Sequence, residues 1–168
     1  RNHPQTEQII GLFTNILVLR SDLSGDPTFQ ELLQRVRNTT LDAYEHQDMP
    51  FEKLVEVLKP RRDPSRSPLF QVLLLLQNLP ASEVLPDGIT VEPLNITGST
   101  ATYDLTLYFT ETDQGLLTVL EYNIDLFTEQ TIHRLLNHLH RLLEQISVSP
   151  EASLNTLILS LSESALPV

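Results

Sequence analysis

Cysteine is absent from the 168 residues, which excludes disulfides, thiolate chemistry and any cysteine-ligated zinc or iron–sulfur centre. An intracellular location is compatible with that absence without being required by it, and the expected location is cytoplasmic. Basic residues are scarce: 11 Lys and Arg stand against 22 Asp and Glu, a formal net charge of -11. That balance excludes nucleic-acid binding through a general positive field. Long apolar runs are missing too. The longest, Val72 to Leu76, is five residues, far short of the roughly 18 needed to cross a bilayer. The five glycines are scattered, which rules out a P-loop and weakens a dinucleotide reading. The opening Arg1-Asn2-His3-Pro4 has no initiator Met and is not a signal peptide, so the expectation is a piece of something longer. What is abundant is aliphatic. Hydrophobic residues make up 40% and leucine alone fills 33 positions, too apolar for disorder. A chain of this length suits one domain that buries roughly 70% of its unfolded surface.

Periodicity sets the expected elements. Residues 9–19 are rich in Ile, Leu, Val and Phe, and the run from Ile16 to Leu19 suits a strand buried on both faces. Ser24-Gly25-Asp26-Pro27 is a turn cluster. Thr28 and Glu31 have capping-box spacing, so a helix starts there, with Phe29, Leu32, Leu33, Val36, Thr40 and Tyr44 along one stripe. Pro50 closes that helix or its loop. A shorter helix carries Phe51, Leu54, Val55 and Leu58 and stops at Pro60. Residues 61–68 form a loop, 69–77 a central strand, 79–88 an exposed crossing loop and 89–96 an edge or bulged strand containing Pro93. Residues 105–112 and 116–123 make an antiparallel hairpin around Asp113-Gln114-Gly115. Thr128 caps a long helix whose stripe is Ile132, Leu135, Leu136, Leu139, Leu142, Leu143 and Ile146. That stripe is too short for a coiled coil and packs on a sheet. After Ser147 the pattern dissolves into serines, Pro150 and Pro167 and reads as an exit linker.

Conventional catalytic constellations are not supported. Of His3, His46, His133, His138 and His140, no pair has the i, i+4 spacing that places two imidazoles on one helix face. Metal binding is therefore not expected. G-x-S-x-G does not occur, and Ser65 between Pro64 and Arg66 reads as a turn hydroxyl rather than as the nucleophile of a triad with His46 and Asp63. Three stretches are odder than composition requires. Asn15 sits inside an apolar strand in Gly11-Leu12-Phe13-Thr14-Asn15, where a buried amide must find partners; it either bonds backbone at a bulge or faces a substrate channel. His46-Gln47-Asp48-Met49-Pro50-Phe51-Glu52 reads as a capped helix junction. Arg62-Asp63-Pro64-Ser65-Arg66-Ser67-Pro68-Leu69 is a salt-bridged turn or a lobe-to-lobe clasp.

In this order the three stretches resemble the later core motifs of the condensation domains of nonribosomal peptide synthetases. Residues 10–20 are similar to I-G-x-F-V-N-T-x-x-x-R, with Thr14 in place of valine and Ile16 in place of threonine. Residues 46–52 resemble H-Q-D-x-P-F-E, and residues 62–69 resemble R-D-x-S-R-N-P-L, with Ser67 in place of asparagine. Tyr103-Asp104-Leu105 and the stretch from Glu121 to Phe127 also look like the family.

The resemblance implies an α/β fold, a two-layer sandwich of a mixed, largely antiparallel sheet with helices on one face. This would be one lobe of a chloramphenicol acetyltransferase-like pair around a tunnel. Here the sheet would include residues 69–77, covered by helices at 28–45 and 128–146. In the family, the amine of an acceptor aminoacyl thioester attacks a donor thioester, both carried on phosphopantetheine of partner carrier domains. The signature H-H-x-x-x-D-G belongs to the first lobe, and this sequence contains no His-His pair. The resemblance therefore implies that residues 1–148 are a C-terminal lobe and residues 149–168 an exit segment toward the next domain, with no cofactor bound by the chain itself and no catalytic residue of its own. Asn15 is the expected tunnel-facing amide; Arg62, Asp63 and Arg66 are the expected lobe or loop clasp. Expected partners are the N-terminal lobe, upstream and downstream peptidyl carrier domains and a neighbouring adenylation domain, with neither nucleic acid nor membrane. A non-catalytic recruitment module of the same fold and an epimerisation-type relative are the alternatives; the H-Q-D-x-P-F-E likeness speaks against the second.

Overall fold

The computed structural model describes Gln5 and residues 9–11, 14–77 and 100–163. The elements run α1 (Phe29–Glu45), α2 (Phe51–Leu58), β1 (Val72–Gln77), β2 (Leu105–Thr112), β3 (Gly115–Tyr122), α3 (Glu129–Val148) and α4 (Leu154–Glu163), a mixed α/β composition. They divide into two units: residues 1–62 with 134–168, and residues 63–133. The expected loop at 79–88 and strand at 89–96 lie outside the described residues, as do His3, Leu12 and Phe13.

In the first unit α1 begins as the sequence dictates. Thr28 Oγ1 accepts from the Glu31 N–H at 3.2 Å, and Glu31 Oε2 accepts from the Thr28 N–H at 2.9 Å. This reciprocal box satisfies two donors that a helix start otherwise leaves open. Phe29, Leu32, Val36 and Thr40 are half-buried, while Leu33 and Tyr44 on the expected stripe are exposed. α2 starts from Pro50, which holds the N-cap position with φ -62° and ψ 141°. It ends at Lys59 in the left-handed region, φ 45°, whose N–H donates to Val55 O at 2.9 Å. Pro60 follows, where a helix cannot continue.

Two expectations in this unit are corrected. Residues 14–20 are not in a strand, and Leu19 is exposed. They lack a ladder partner among the described residues, and an apolar run alone does not supply one. The segment after Ser147 does not dissolve either, because it carries α4. Ser149, Pro150 and Ser153 are helix-end chemistry, and linkers share that composition. Ser153 Oγ accepts from the Thr156 N–H at 3.4 Å. Thr28 and Ser153 form an antiparallel bridge, and Leu157, 3% exposed, is the most buried apolar side chain among the described residues.

The second unit is built on a sheet in the order β1-β2-β3. β1 runs parallel to β2, with Leu74 opposite Leu107, and β2 runs antiparallel to β3, with Leu107 opposite Leu120. The strand expected over 69–77 begins only at Val72. Pro68 and Leu69, the latter at φ 72°, form a turn in which the Phe70 N–H donates to Pro68 O at 3.0 Å. Among the described residues β1 is an edge, not a central strand. Its burial alternates, leaving Val72, Leu74 and Leu76 54–64% exposed while Leu73 and Leu75 are half-buried. The hairpin matches expectation, shifted by one residue. Thr112 pairs with Gly115, leaving Asp113 and Gln114 as the turn, and Gly115 takes φ 124°, a conformation that other residues resist. After β3, Asn123 Oδ1 accepts from the Asp125 N–H at 2.9 Å, bending the chain toward α3. Thr128 caps α3 by accepting from the Thr131 N–H at 3.3 Å.

Candidate functional site

The first two motifs meet in the first unit. α1 ends at Glu45 and is capped by His46, whose N–H donates to Ala43 O at 3.1 Å. The chain then turns, with Gln47 N–H donating to Tyr44 O at 3.3 Å and Met49 N–H donating to His46 O at 3.0 Å, before Pro50 opens α2. Such a tight junction leaves carbonyls pointing outward. Asn15 takes two of them: its Nδ2 donates to Gln47 O at 2.8 Å and to Met49 O at 2.6 Å. Its Oδ1 accepts from the Ile16 N–H at 3.0 Å. Both amide protons are thus engaged by backbone, the geometry of a brace across the H-Q-D-M-P stretch. A carboxylate or aliphatic side chain at position 15 could not donate both bonds. His46 and Asp48 project from the junction and are exposed.

The third motif braces itself. Ser65 donates to Asp63 Oδ1 twice, from its N–H at 3.0 Å and from its hydroxyl at 2.6 Å. The Arg66 N–H donates to Asp63 O at 3.2 Å, and Arg66 Nε lies 3.8 Å from Asp63 Oδ2. The Ser65 hydroxyl, then its N–H, and more weakly the Arg66 guanidinium hold the Asp63 carboxyl below the ordinary carboxylate range. The hydroxyl is thereby committed to the turn rather than available as a nucleophile. Asp63 and Arg66 form a local clasp. Arg62 is exposed and has no ion-pair partner among the described residues. The division between the two units falls immediately after it.

Arg35 belongs to none of the three motifs and escaped the sequence reading. From a half-buried position on α1, its Nη1 donates to Ser24 O at 2.9 Å and to Asp22 O at 3.2 Å, fixing the loop that leads back to Asn15. Only the opposite charge of Asp22 hinted at this, and backbone carbonyls have no sequence signature. Elsewhere in the unit an open cleft of about 430 Å³ lies between the end of α3 and α4, lined by Glu144, Val148, Ala152, Leu157 and Ser160 among others. It is built from different residues than the motifs. Among the described residues no three His, Asp or Glu side chains converge as metal ligands. His133 and His140 instead lie 3.5 and 3.4 Å from Glu129 and Glu144 on α3. No helix among the described residues is long and apolar enough to cross a membrane.

Comparison with known proteins agrees with the motifs. The family model for the condensation domain matches residues 1–165. A linear gramicidin synthase polypeptide of Brevibacillus parabrevis is 47% identical over 165 residues, covering 97% of this chain and 3% of that protein. The dimodular nonribosomal peptide synthase of Bacillus subtilis (strain 168) is 46% identical over 164 residues, covering 94% of this chain and 7% of its own length. The chain therefore spans a small fraction of the curated relatives it matches. Among solved structures, the X-domain in its complex with OxyB from teicoplanin biosynthesis is similar with a TM-score of 0.75 at 33% identity, over 92% of this chain and 34% of that one. A four-domain nonribosomal peptide synthetase bound to AMP and glycine gives a TM-score of 0.65 at 26% identity, over 77% of this chain and 11% of that one.

Proposed function

This chain belongs to the condensation-domain family of nonribosomal peptide synthetases, and from that premise we propose that it is the C-terminal lobe of such a domain, one wall of the tunnel in which two carrier-bound thioesters are joined. Amide formation from a thioester needs the amine held about 3–3.5 Å from the carbonyl and a group to take its proton. The family's H-H-x-x-x-D-G would supply the second from the other lobe, since this chain contains no His-His pair. This lobe then does positioning work. Asn15 shapes the wall by fixing the junction between α1 and α2, Asp63 and Arg66 hold the loop ahead of β1, and the exposed Arg62 is left to meet the other lobe. Substrates arrive on the phosphopantetheine arms of upstream and downstream carrier domains, an adenylation domain is a neighbour, and residues 149–168 lead out toward the next domain.

The observation that carries this reading is the order and spacing of three motifs within a family match that runs from residue 1 to residue 165. Its support includes the likeness to the X-domain structure over 92% of this chain. A test is to incubate the chain with two loaded carrier domains and follow the thioesters by intact-protein mass spectrometry. No dipeptidyl product is expected from the chain alone, and product is expected once a lobe bearing H-H-x-x-x-D-G is supplied. Stereospecific product from the isolated chain sinks the proposal. A second reading, an interaction module of the same fold, is favoured by one observation: the X-domain neighbour was captured in complex with another protein, OxyB. It predicts no product even with the complementary lobe present.

A further inference from the structure

α1 contains no buried residue along its 17 positions, and a helix of that length left to itself is marginal in water. Besides the hold that Arg35 takes on the 22–24 loop from mid-helix, it is fastened at both ends. At the start, the Phe29 N–H donates to Ala152 O at 3.2 Å and the Gln30 N–H to Pro150 O at 3.1 Å. These are donors for which a helix has no internal partner. The exchange is mutual: at the start of α4, the Leu154 N–H donates to Pro27 O at 3.0 Å and the Asn155 N–H to Asp26 Oδ1 at 2.9 Å. Two helix N-termini thus satisfy one another. At the far end, Asn15 holds Gln47 O and Met49 O, and the turn that presents them is tied to the last residues of α1 through Ala43 O and Tyr44 O.

Both fastenings require the helical form. Unwinding the first turn withdraws the Phe29 and Gln30 donors from the exit segment, and unwinding the last turn displaces the Gln47 carbonyl from Asn15. Two sites that each stabilise the same state of one element are coupled, and that coupling is reciprocal. We propose that α1 is a two-state strut through which the α4 clasp and the Asn15 clasp sense each other across about 25 Å of helix. Loosening the exit segment loosens the H-Q-D-M-P junction, and the reverse holds equally. The coupling belongs to the chain itself and does not depend on the reaction assigned above.

The test is residue-resolved amide hydrogen exchange on the 168-residue chain. Asp26→Gly removes the Asn155 acceptor while accepting the φ of 48° at that position without strain. Asp26→Asn keeps an acceptor oxygen and serves as the conservative control. Exchange at Gln47 and Met49 is expected to quicken about fivefold in Asp26→Gly, the usual size of one lost cap, and to stay near wild type in Asp26→Asn. Asn15→Ala acts from the other end and should quicken exchange at Leu154 and Asn155 by a similar factor. It also reads the coupling independently should Asp26→Gly disturb α4 itself. If each variant alters protection only in its own clasp and leaves the distant amides at wild-type rates, the strut is refuted.

Discussion

Asp22 and Asp63 are both exposed, yet turn donors rather than burial hold both carboxyls below the ordinary carboxylate range. The largest influence differs. At Asp63 it is the hydroxyl of Ser65; at Asp22 it is the backbone N–H of Ser24, with that residue's hydroxyl second and the Arg35 guanidinium weaker. Ser65→Ala should therefore raise the titration midpoint of Asp63, and Ser24→Ala that of Asp22, as read by carboxyl carbon shifts in NMR titrations. An unchanged midpoint in either variant would contradict the assignment. The sign for stability follows. Each folded-state value is lowered, so each group's contribution is fully present above its unfolded-state value of about 3.9 and is lost as pH falls through the folded value. Urea midpoints should be flat from neutral pH to about 5 on this account and decline below it. The Asp63 turn was readable because an Asp followed two residues later by a Ser can bond to itself locally. Asn15 was readable only as an amide needing partners. Its acceptors lie 32 and 34 residues away and are carbonyls that any sequence would supply.

Helices were legible where local chemistry decides them. The Thr28–Glu31 box, Pro60 after the α2 stripe, and Thr128 ahead of the α3 stripe each announce an end, and the structure places an end at each. Strands depend on partners, which is why the apolar run Ile16 to Leu19 misled and why β1 turned out to be an edge among the described residues. α4 was missed because its capping serines look like linker. That difference is measurable. Leu157→Ala should cost about 2–4 kcal/mol, because the side chain is 3% exposed; a linker leucine would cost next to nothing in urea denaturation. Thr28→Ala should cost about 1 kcal/mol through the lost cap, with an unchanged m-value. Gly115→Ala meets no atom within 4 Å of the new methyl group, so its cost comes from the φ of 124° alone. A loss of about 1–2 kcal/mol in the same assay is expected.

At the scale of the whole molecule, each unit retains large apolar side chains in contact with water. Val57, Leu58, Ile158 and Leu159 do so in the first unit and Val72, Leu74, Leu76 and Leu117 in the second, all more than half exposed. Ile132 and Leu157 are the buried hydrophobic residues among those described. Exposure on this scale marks surfaces that meet something else. On the lobe reading proposed above, the chain alone should bind a fluorescent hydrophobic dye and scatter light increasingly with concentration, and a complementary N-terminal lobe should suppress both signals. A monodisperse monomer that ignores the dye would contradict this. The interlock of α4 with the first turn of α1 also bears on how such synthetases are recombined. A chimera spliced just after Val148 would replace the segment whose Ala152 and Pro150 carbonyls receive Phe29 and Gln30, so those bonds would then depend on foreign sequence folding the same way. Moving the graft point past Glu163 keeps donor and acceptor on the same parent, so an engineer who adopts the lobe reading proposed above should carry the fourth helix along with the helix it clasps.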